Sequence, residues 1–368
     1  MGFGKYCHFF KDAWGSKKVA NILGPDAKSF TFPQSACNPA AAPYNKTDVE
    51  AVLRASVRSA DGWVLGRTAG VSAAERKAVM NTQEVTMEFV REALPPRRED
   101  GHKGDFGKVL IVGGAVGYTG APYLAAQGAV RSGCGLVFLG VPAAIWPVEA
   151  AKCACAMPFP APDKNGMLCD RALKPLREKL EECDVLALGP GLGRSPEVQK
   201  LVLGLLETEK PVVLDADGIN ALAGHMDSLD ARRGRVTILT PHDGEFARLG
   251  GDTSADRAES SRSFAGAHGC VLVRKGHRTL TATPQGTVLE NPTGNSGLAK
   301  GGSGDVLTGM IAALLAQGAT AVRAAACGAY LHGLAGDLCA EWLTEYGMTP
   351  QDVAEAVPSA FQTVLIEN

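Results

Sequence analysis

The sequence predicts an α/β fold, with a mainly parallel central sheet and helices on both faces. Three observations carry this. From Lys108 onward, short apolar runs alternate with stretches of helical period. Most of those runs stop at turns punctuated by Gly, Pro or Asp. The composition provides a core: 368 residues, 45% hydrophobic, 21% charged, with 44 Gly. Strand–helix repetition of this kind builds parallel sheets, and ligands collect beyond the carboxyl ends of their strands.

Taken in order, residues 1–45 are irregular, with Pro25, Pro33, Pro39 and Pro43. Thr47 to Ser59 reads as a short helix, with Thr47 as N-cap and Glu50 at the third helical position. Residues 1–85 carry no chemical motif and form an unassigned extension; 86–368 form the main domain. Lys108–Val112 is the first strand, halted by Gly113-Gly114, and Ala121–Arg131 is a helix. Strands follow at Leu136–Val141, Val185–Leu188, Val212–Leu214, Thr237–Leu239 and Val271–Val273, with shorter extended pieces at Thr279–Thr283 and Thr287–Leu289. Asp170–Glu181 and Pro196–Leu206 are helices, the second with Pro in its first turn. Helices at Asp305–Gln317, Ala321–Leu343 and Gln351–Phe361 close the chain.

Bulk properties exclude several classes of partner. Formal net charge is −2 and aromatics are 6%, which disfavours nucleic acid and anionic membrane surfaces. No apolar stretch is long enough to span a membrane. Ten cysteines show no disulfide or zinc spacing, which points to a reducing, cytoplasmic compartment.

The most informative stretch is Asn295 to Gly309, a glycine-rich loop running into an apolar helix with Asp305 at the junction. Unpaired N–H groups and the helix dipole make such a junction a phosphate-sized anion site. Asp305 then stands where a general base is useful, or where a helix cap is. Four further loops lie at strand ends. Gly113–Ala121 is neither a Walker loop nor a dinucleotide fingerprint. Gly189-Pro190-Gly191-Leu192-Gly193 permits close approach of backbone to a ligand. Asp215-Ala216-Asp217 suits either Mg²⁺ held through water or the cap of the next helix. Thr240-Pro241-His242-Asp243-Gly244-Glu245 places an imidazole on the same edge, with Glu245 able to approach a metal. Lys275-Gly276-His277-Arg278-Thr279 suits the phosphates of a nucleotide or a basic hairpin turn. No nucleophile elbow or H-E-x-x-H spacing occurs.

From about Met87 onward, this ordered set of loops resembles the ADP/ATP-dependent NAD(P)H-hydrate dehydratases, repair enzymes of the ribokinase-like fold. Each loop is weak alone; the set, in this order and spacing, is specific. The resemblance implies dehydration of hydrated NADH or NADPH (NADHX, NADPHX) with ADP or ATP as co-substrate and Mg²⁺ as cofactor. It implies that Asp305 is the base, and that the N–H groups of Gly302, Ser303 and Gly304 form an anion hole. It assigns Ala121, Gly193, His242 and Asp305 to the hydrated dinucleotide, and Lys275 to Thr279 with Gly304 to the adenine nucleotide. A homo-oligomer, a tetramer, is also implied. Residues 1–80 do not look like the epimerase domain often fused to such enzymes. Two other readings are a small-molecule kinase of the same fold and a non-enzymatic nucleotide-binding module.

Overall fold

The computed structural model describes residues 82–366, with the short strand pair Arg58–Ser59 and Gly62–Trp63. The chain divides into two units, Met1–Arg76 and Lys77–Asn368. In the first, Arg58 pairs with Trp63 and Ser59 with Gly62, antiparallel. An antiparallel ladder needs extended backbone, so the helix expected over Thr47–Ser59 does not reach Arg58. The rest of that expectation lies outside the described residues.

The second unit is built on a ten-stranded sheet. Its strands are β1 (Thr82–Glu84), β2 (Lys108–Val112), β3 (Leu136–Pro142), β4 (Met157–Ala161) and β5 (Val185–Leu188). They continue with β6 (Val212–Leu214), β7 (Thr237–Leu239), β8 (Val271–Arg274), β9 (Leu280–Ala282) and β10 (Val288–Glu290). Across the sheet the order is β1-β10-β9-β8-β7-β6-β5-β2-β3-β4. Pairing is parallel except where β9 runs antiparallel between β8 and β10. The extended pieces near Thr279 and Thr287 thus form a hairpin inside an otherwise parallel sheet. Strand β1 lies upstream of the boundary expected at residue 86, and its pairing with β10 takes residues 82–84 into the sheet.

The helices are α1 (Met87–Ala93), α2 (Gly120–Arg131), α3 (Trp146–Lys152), α4 (Leu173–Glu181), α5 (Pro196–Leu205) and α6 (Ala216–Leu222). Then come α7 (Met226–Asp230), α8 (Asp243–Arg248), α9 (Arg257–His268), α10 (Ser303–Ala316), α11 (Ala321–Gly347) and α12 (Pro350–Leu365). Successive strand side chains point to opposite faces. Val109 and Ile111 of β2 therefore join a core with α10, α11 and α12, while Leu110 and Val112 join a second core with α4 and α5. Both faces of the sheet are buried, which is why its strands read as unbroken apolar runs.

Register places the loops. Val112, Leu188, Leu214 and Leu239 stand side by side at the ends of β2, β5, β6 and β7. The residues that follow them, Gly113, Gly189, Asp215 and Thr240, therefore share one edge of the sheet. Helix α10 reaches this edge by packing tightly on α2. A Cβ on Gly309 would lie 1.9 Å from Ala125 O, and one on Gly128 2.3 Å from Val306 O. No side chain fits at either glycine, so the two backbones cross in contact.

Candidate active site

The edge of the sheet is organised around Asp215, which follows β6 and is 1% exposed. Its Oδ1 accepts hydrogen bonds from Thr240 Oγ1 at 2.8 Å and Lys275 Nζ at 2.7 Å, and its Oδ2 from Thr308 Oγ1 at 2.8 Å. One carboxylate thus ties together the ends of β6, β7 and β8 and the second turn of α10. Burial alone would lower the Lys275 pKa, but Asp215, Glu245 and Asp305 around it raise it, so its ammonium stays charged. Asp215 occupies the N-cap position of α6, yet its side chain does not cap that helix. Asp217 does not cap it either: its Oδ2 accepts the Gly193 N–H at 3.0 Å, joining two of the expected loops.

Asp305 lies in the first turn of α10. Its carboxylate makes no hydrogen bond or ion pair among the described residues. Burial, then the negative charge of Asp215, pushes its pKa up to about 8, against the pull of Lys275. The N-cap residue Gly302 has φ 109, a conformation open to glycine, and offers no capping side chain. The N–H groups of Gly302, Gly304 and Asp305 have no acceptor among the described residues, whereas the Ser303 N–H donates to Lys300 O at 3.3 Å. Two of the three N–H groups expected to form the anion hole are therefore free. The third is turned inward, because the chain closes a turn from Lys300 before entering the helix. A Cβ on Gly304 would stand 3.2 Å from Lys275 Nζ, so the free N–H groups and the ammonium flank one space.

The loop before α10 is held at two places along α11. Gly294 N and Asn295 Nδ2 donate to Asp337 of α11 at 2.8 and 2.9 Å. Lys300 Nζ donates to the carbonyls of Glu345, Tyr346 and Met348 at the end of α11. His332 of α11 is 7% exposed, with no partner for Nε2. Burial drives its pKa down to about 4, against the neighbouring Ser303 backbone, so the ring is neutral.

His242 caps α8. Its Nδ1 accepts from Gly244 N at 3.0 Å and Glu245 N at 3.2 Å, while Glu245 Oε2 accepts the His242 N–H at 2.9 Å. The ring nitrogen that accepts carries no proton, so Nε2 carries it, 3.5 Å from Glu245 Oε1, on a side chain that is 55% exposed. On the other side of the edge, Arg257 donates to His277 O at 3.0 Å and Lys275 O at 3.3 Å. It pulls the carbonyls of the Lys275–His277 turn to one side. Arg278 points elsewhere, to Glu290 of β10 and Glu84 of β1 at 2.5 and 2.6 Å. Thr279 Oγ1 donates to Gly276 O at 3.1 Å. Ala121 sits near the start of α2, where a Cβ on Gly191 would come within 2.9 Å of its own Cβ.

The structure thus brings Asp305, Gly302, Gly304 and Lys275 to one space, links Gly193 to it through Asp217, and commits the Arg278 side chain to the β1 edge. Thr308, Arg257, Lys300, His332 and Asp337 were not foreseen. The run His332-Gly333-x-x-Gly336-Asp337 was the available signal, because a polar pair among small residues inside an apolar helix needs partners. Among the described residues, no group of three His, Cys, Asp or Glu forms a metal cage, and no helix is long and apolar enough to cross a membrane.

A doubly covered, mainly parallel sheet with a phosphate-sized site at a helix start is the ribokinase-like arrangement. A ribokinase-like superfamily protein from Enterococcus faecalis superposes with TM-score 0.67 at 26% identity, covering 77% of this chain and 97% of that one. The family profile of NAD(P)H-hydrate dehydratases matches residues 109–359, and the chain belongs to that family. It is 46% identical over 284 residues, 76% of its length, to the bifunctional NAD(P)H-hydrate repair enzyme Nnr of Moorella thermoacetica, covering 53% of that protein. It is 41% identical to the ADP-dependent (S)-NAD(P)H-hydrate dehydratase of Neisseria meningitidis, over 67% of this chain and 81% of that one. The Bacillus subtilis ADP/ATP-dependent NAD(P)H-hydrate dehydratase, co-crystallised with ATP/Mg²⁺, superposes with TM-score 0.65 at 30% identity, covering 77% of this chain and 99% of that one. The chain spans about half the length of the bifunctional relatives it matches.

Proposed function

We propose that this protein removes water from hydrated NADH or NADPH, using ADP or ATP. The observation that carries the reading is Asp305: a carboxylate without a partner, its pKa raised to about 8, beside free helix-start N–H groups and Lys275. In this reading Asp305 takes the proton of the hydrate's hydroxyl as its oxygen attacks the terminal phosphorus of the nucleotide. The bond to the departing AMP or ADP breaks, and the transferred phosphoryl is stabilised by the N–H groups of Gly302, Gly304 and Asp305 and by Lys275. The C–O bond of the phosphorylated intermediate then breaks with loss of a proton from the adjacent carbon. The double bond is restored and phosphate leaves.

The nucleotide belongs on the Lys275–Thr279 side, through backbone N–H groups and the Lys275 ammonium rather than the Arg278 side chain. The hydrate belongs on the side of Ala121, Gly193 and His242, where the half-exposed imidazole of His242 offers a polar contact. The carboxylates of Asp215, Asp217 and Glu245 are spent on hydrogen bonds, so the donor set fits a Mg²⁺ carried on nucleotide phosphates and water. When bound, that ion neutralises phosphate charge.

The test is incubation with NADHX or NADPHX plus ADP or ATP, following recovery of reduced-nicotinamide absorbance and release of phosphate. A stable phosphoester product instead of free phosphate would make the protein a small-molecule kinase. No turnover with either donor on either hydrate would sink the reading.

A further inference from the structure

A row of polar side chains leads away from Asp305. Asp217, whose charge acts on Asp305, accepts from Gly193 N, from Arg194 Nε at 3.1 Å and from Asn220 Nδ2 at 3.2 Å. Asn220 continues the row, its Oδ1 accepting from Arg248 Nε at 2.7 Å. A Cβ on Gly244 would lie 3.0 Å from His242 Cε1 and 3.7 Å from Arg248 Nη1, so the Arg248 fork stands beside the His242 ring. Gly193, Arg194, Gln199, Asp217 and Asn220 also line a cavity of about 290 Å³.

Both arginines are held through Nε alone. That hold orients each guanidinium and leaves its Nη1 and Nη2 without a hydrogen-bond partner among the described residues. Of the two guanidinium groups only that of Arg194 meets the carboxylate of Asp217, while Arg248 meets the neutral amide of Asn220, so the row is net positive. An exposed Arg–Asp pair adds little stability, and stability alone does not call for a second arginine steered by a bridging amide. Planar forks with free Nη groups match phosphate oxygens.

We propose that Arg194 and Arg248 form a clamp for the phosphate groups of the hydrated dinucleotide, reaching from Gly193 to His242. The inference rests on the dehydratase reading above. The phosphate is either the pyrophosphate bridge, present in both hydrates, or the 2′-phosphate, present only in NADPHX.

The experiment compares wild type with Arg194→Gln, Arg248→Gln and the double variant. It measures kcat and KM for NADHX, NADPHX and ADP at two ionic strengths. Each single change is expected to raise the hydrate KM about tenfold and the double change about a hundredfold, with the KM for ADP unmoved. Equal rises for NADHX and NADPHX place the pyrophosphate in the clamp; a rise for NADPHX alone places the 2′-phosphate there. The wild-type hydrate KM should climb with salt more steeply than that of the double variant. Hydrate KM values within twofold of wild type in the double variant, or an equal rise in the KM for ADP, would overturn the clamp and leave the dehydratase reading standing. Wild-type protein inactive on both hydrates would instead overturn that reading, and the clamp with it.

Discussion

Asp215 and Asp305 both act on the charge of Lys275, one from the end of β6 and one from the start of α10. Both follow or join glycine-containing turns, and each suits a cap, a metal contact or a base by residue type. Their surroundings differ. Asp215 is 1% exposed and spends its oxygens on Thr240, Thr308 and Lys275. Asp305 has no such partner, and burial with the nearby charge of Asp215 lifts its pKa to about 8. A carboxylate whose two oxygens accept three hydrogen bonds holds structure; one left unpaired has a raised proton affinity and, once ionised, can take a proton. The pinned carboxylate also helps to make the free one basic.

The largest break of this comparison is Asp305→Asn. Loss of a positioned base is expected to lower kcat by about 10²–10⁴-fold while nucleotide binding is kept. The same change should stabilise the fold. In the folded chain Asp305 ionises near 8 rather than at the ordinary 3.8, so its contribution to stability falls as pH rises between those values and is level above 8. Asn removes that penalty, and denaturant midpoints at pH 8 should rise. A variant both active within a few-fold and no more stable would overturn the reading of Asp305 as the base.

Asp215→Ala is expected to do the reverse. It strands a buried ammonium and two hydroxyls, and destabilisation of about 3–5 kcal/mol follows from breaking a buried pair. Chemical denaturation measures it, and a loss below about 1 kcal/mol would show that the hub is not what joins the strand ends. The pH profile sharpens the contrast further. As the proposed base, Asp305 must be ionised to act, so kcat/KM for the hydrate should rise about tenfold per pH unit up to roughly 8 and then level in wild type. A plateau already reached at pH 6 would contradict an unpaired, buried Asp305.

His242→Ala should raise the hydrate KM by the equivalent of about 1–3 kcal/mol and leave the KM for ADP unchanged. Because His242 also caps α8, stability should fall by about 1 kcal/mol. Equal KM effects on both substrates would break the division of the cleft into two sides. The smallest effect concerns the first unit. Deleting residues 1–76 should leave turnover within about twofold, whereas deleting 1–85 strips β1 and Glu84 from β10 and Arg278 and should lower stability by roughly 1–2 kcal/mol. Melting curves of the two truncations separate these outcomes.

Much of the fold was legible because buried parallel strands read as apolar runs with sharp stops. Val185–Leu188, Val212–Leu214 and Thr237–Leu239 fall where the residues alone put them. Strand β1 was not legible: Thr82–Glu84 is exposed and polar, and β10 alone defines it as a strand. The loops of the site were legible through glycine and aspartate at strand ends. What each side chain does there was not. The imidazole of His242 caps a helix, Asp215 and Asp217 do not cap theirs, and Arg278 fastens an edge strand rather than facing the Lys275 turn.

The sequence by itself determined the α/β class, the order of the loops and the presence of a glycine-rich helix start followed by a carboxylate. Those properties are local, since they follow from residue type, period and turn chemistry within short windows. Only the tertiary structure decided which carboxylate is pinned and which is free, which helix-start N–H groups point outward, and which arginines keep open donors. Each depends on partners distant in the chain: Thr308 lies 93 residues from Asp215, and Lys275 lies 60. Burial and charge act through space, and spacing along the chain carries no record of them until the sheet sets those residues side by side.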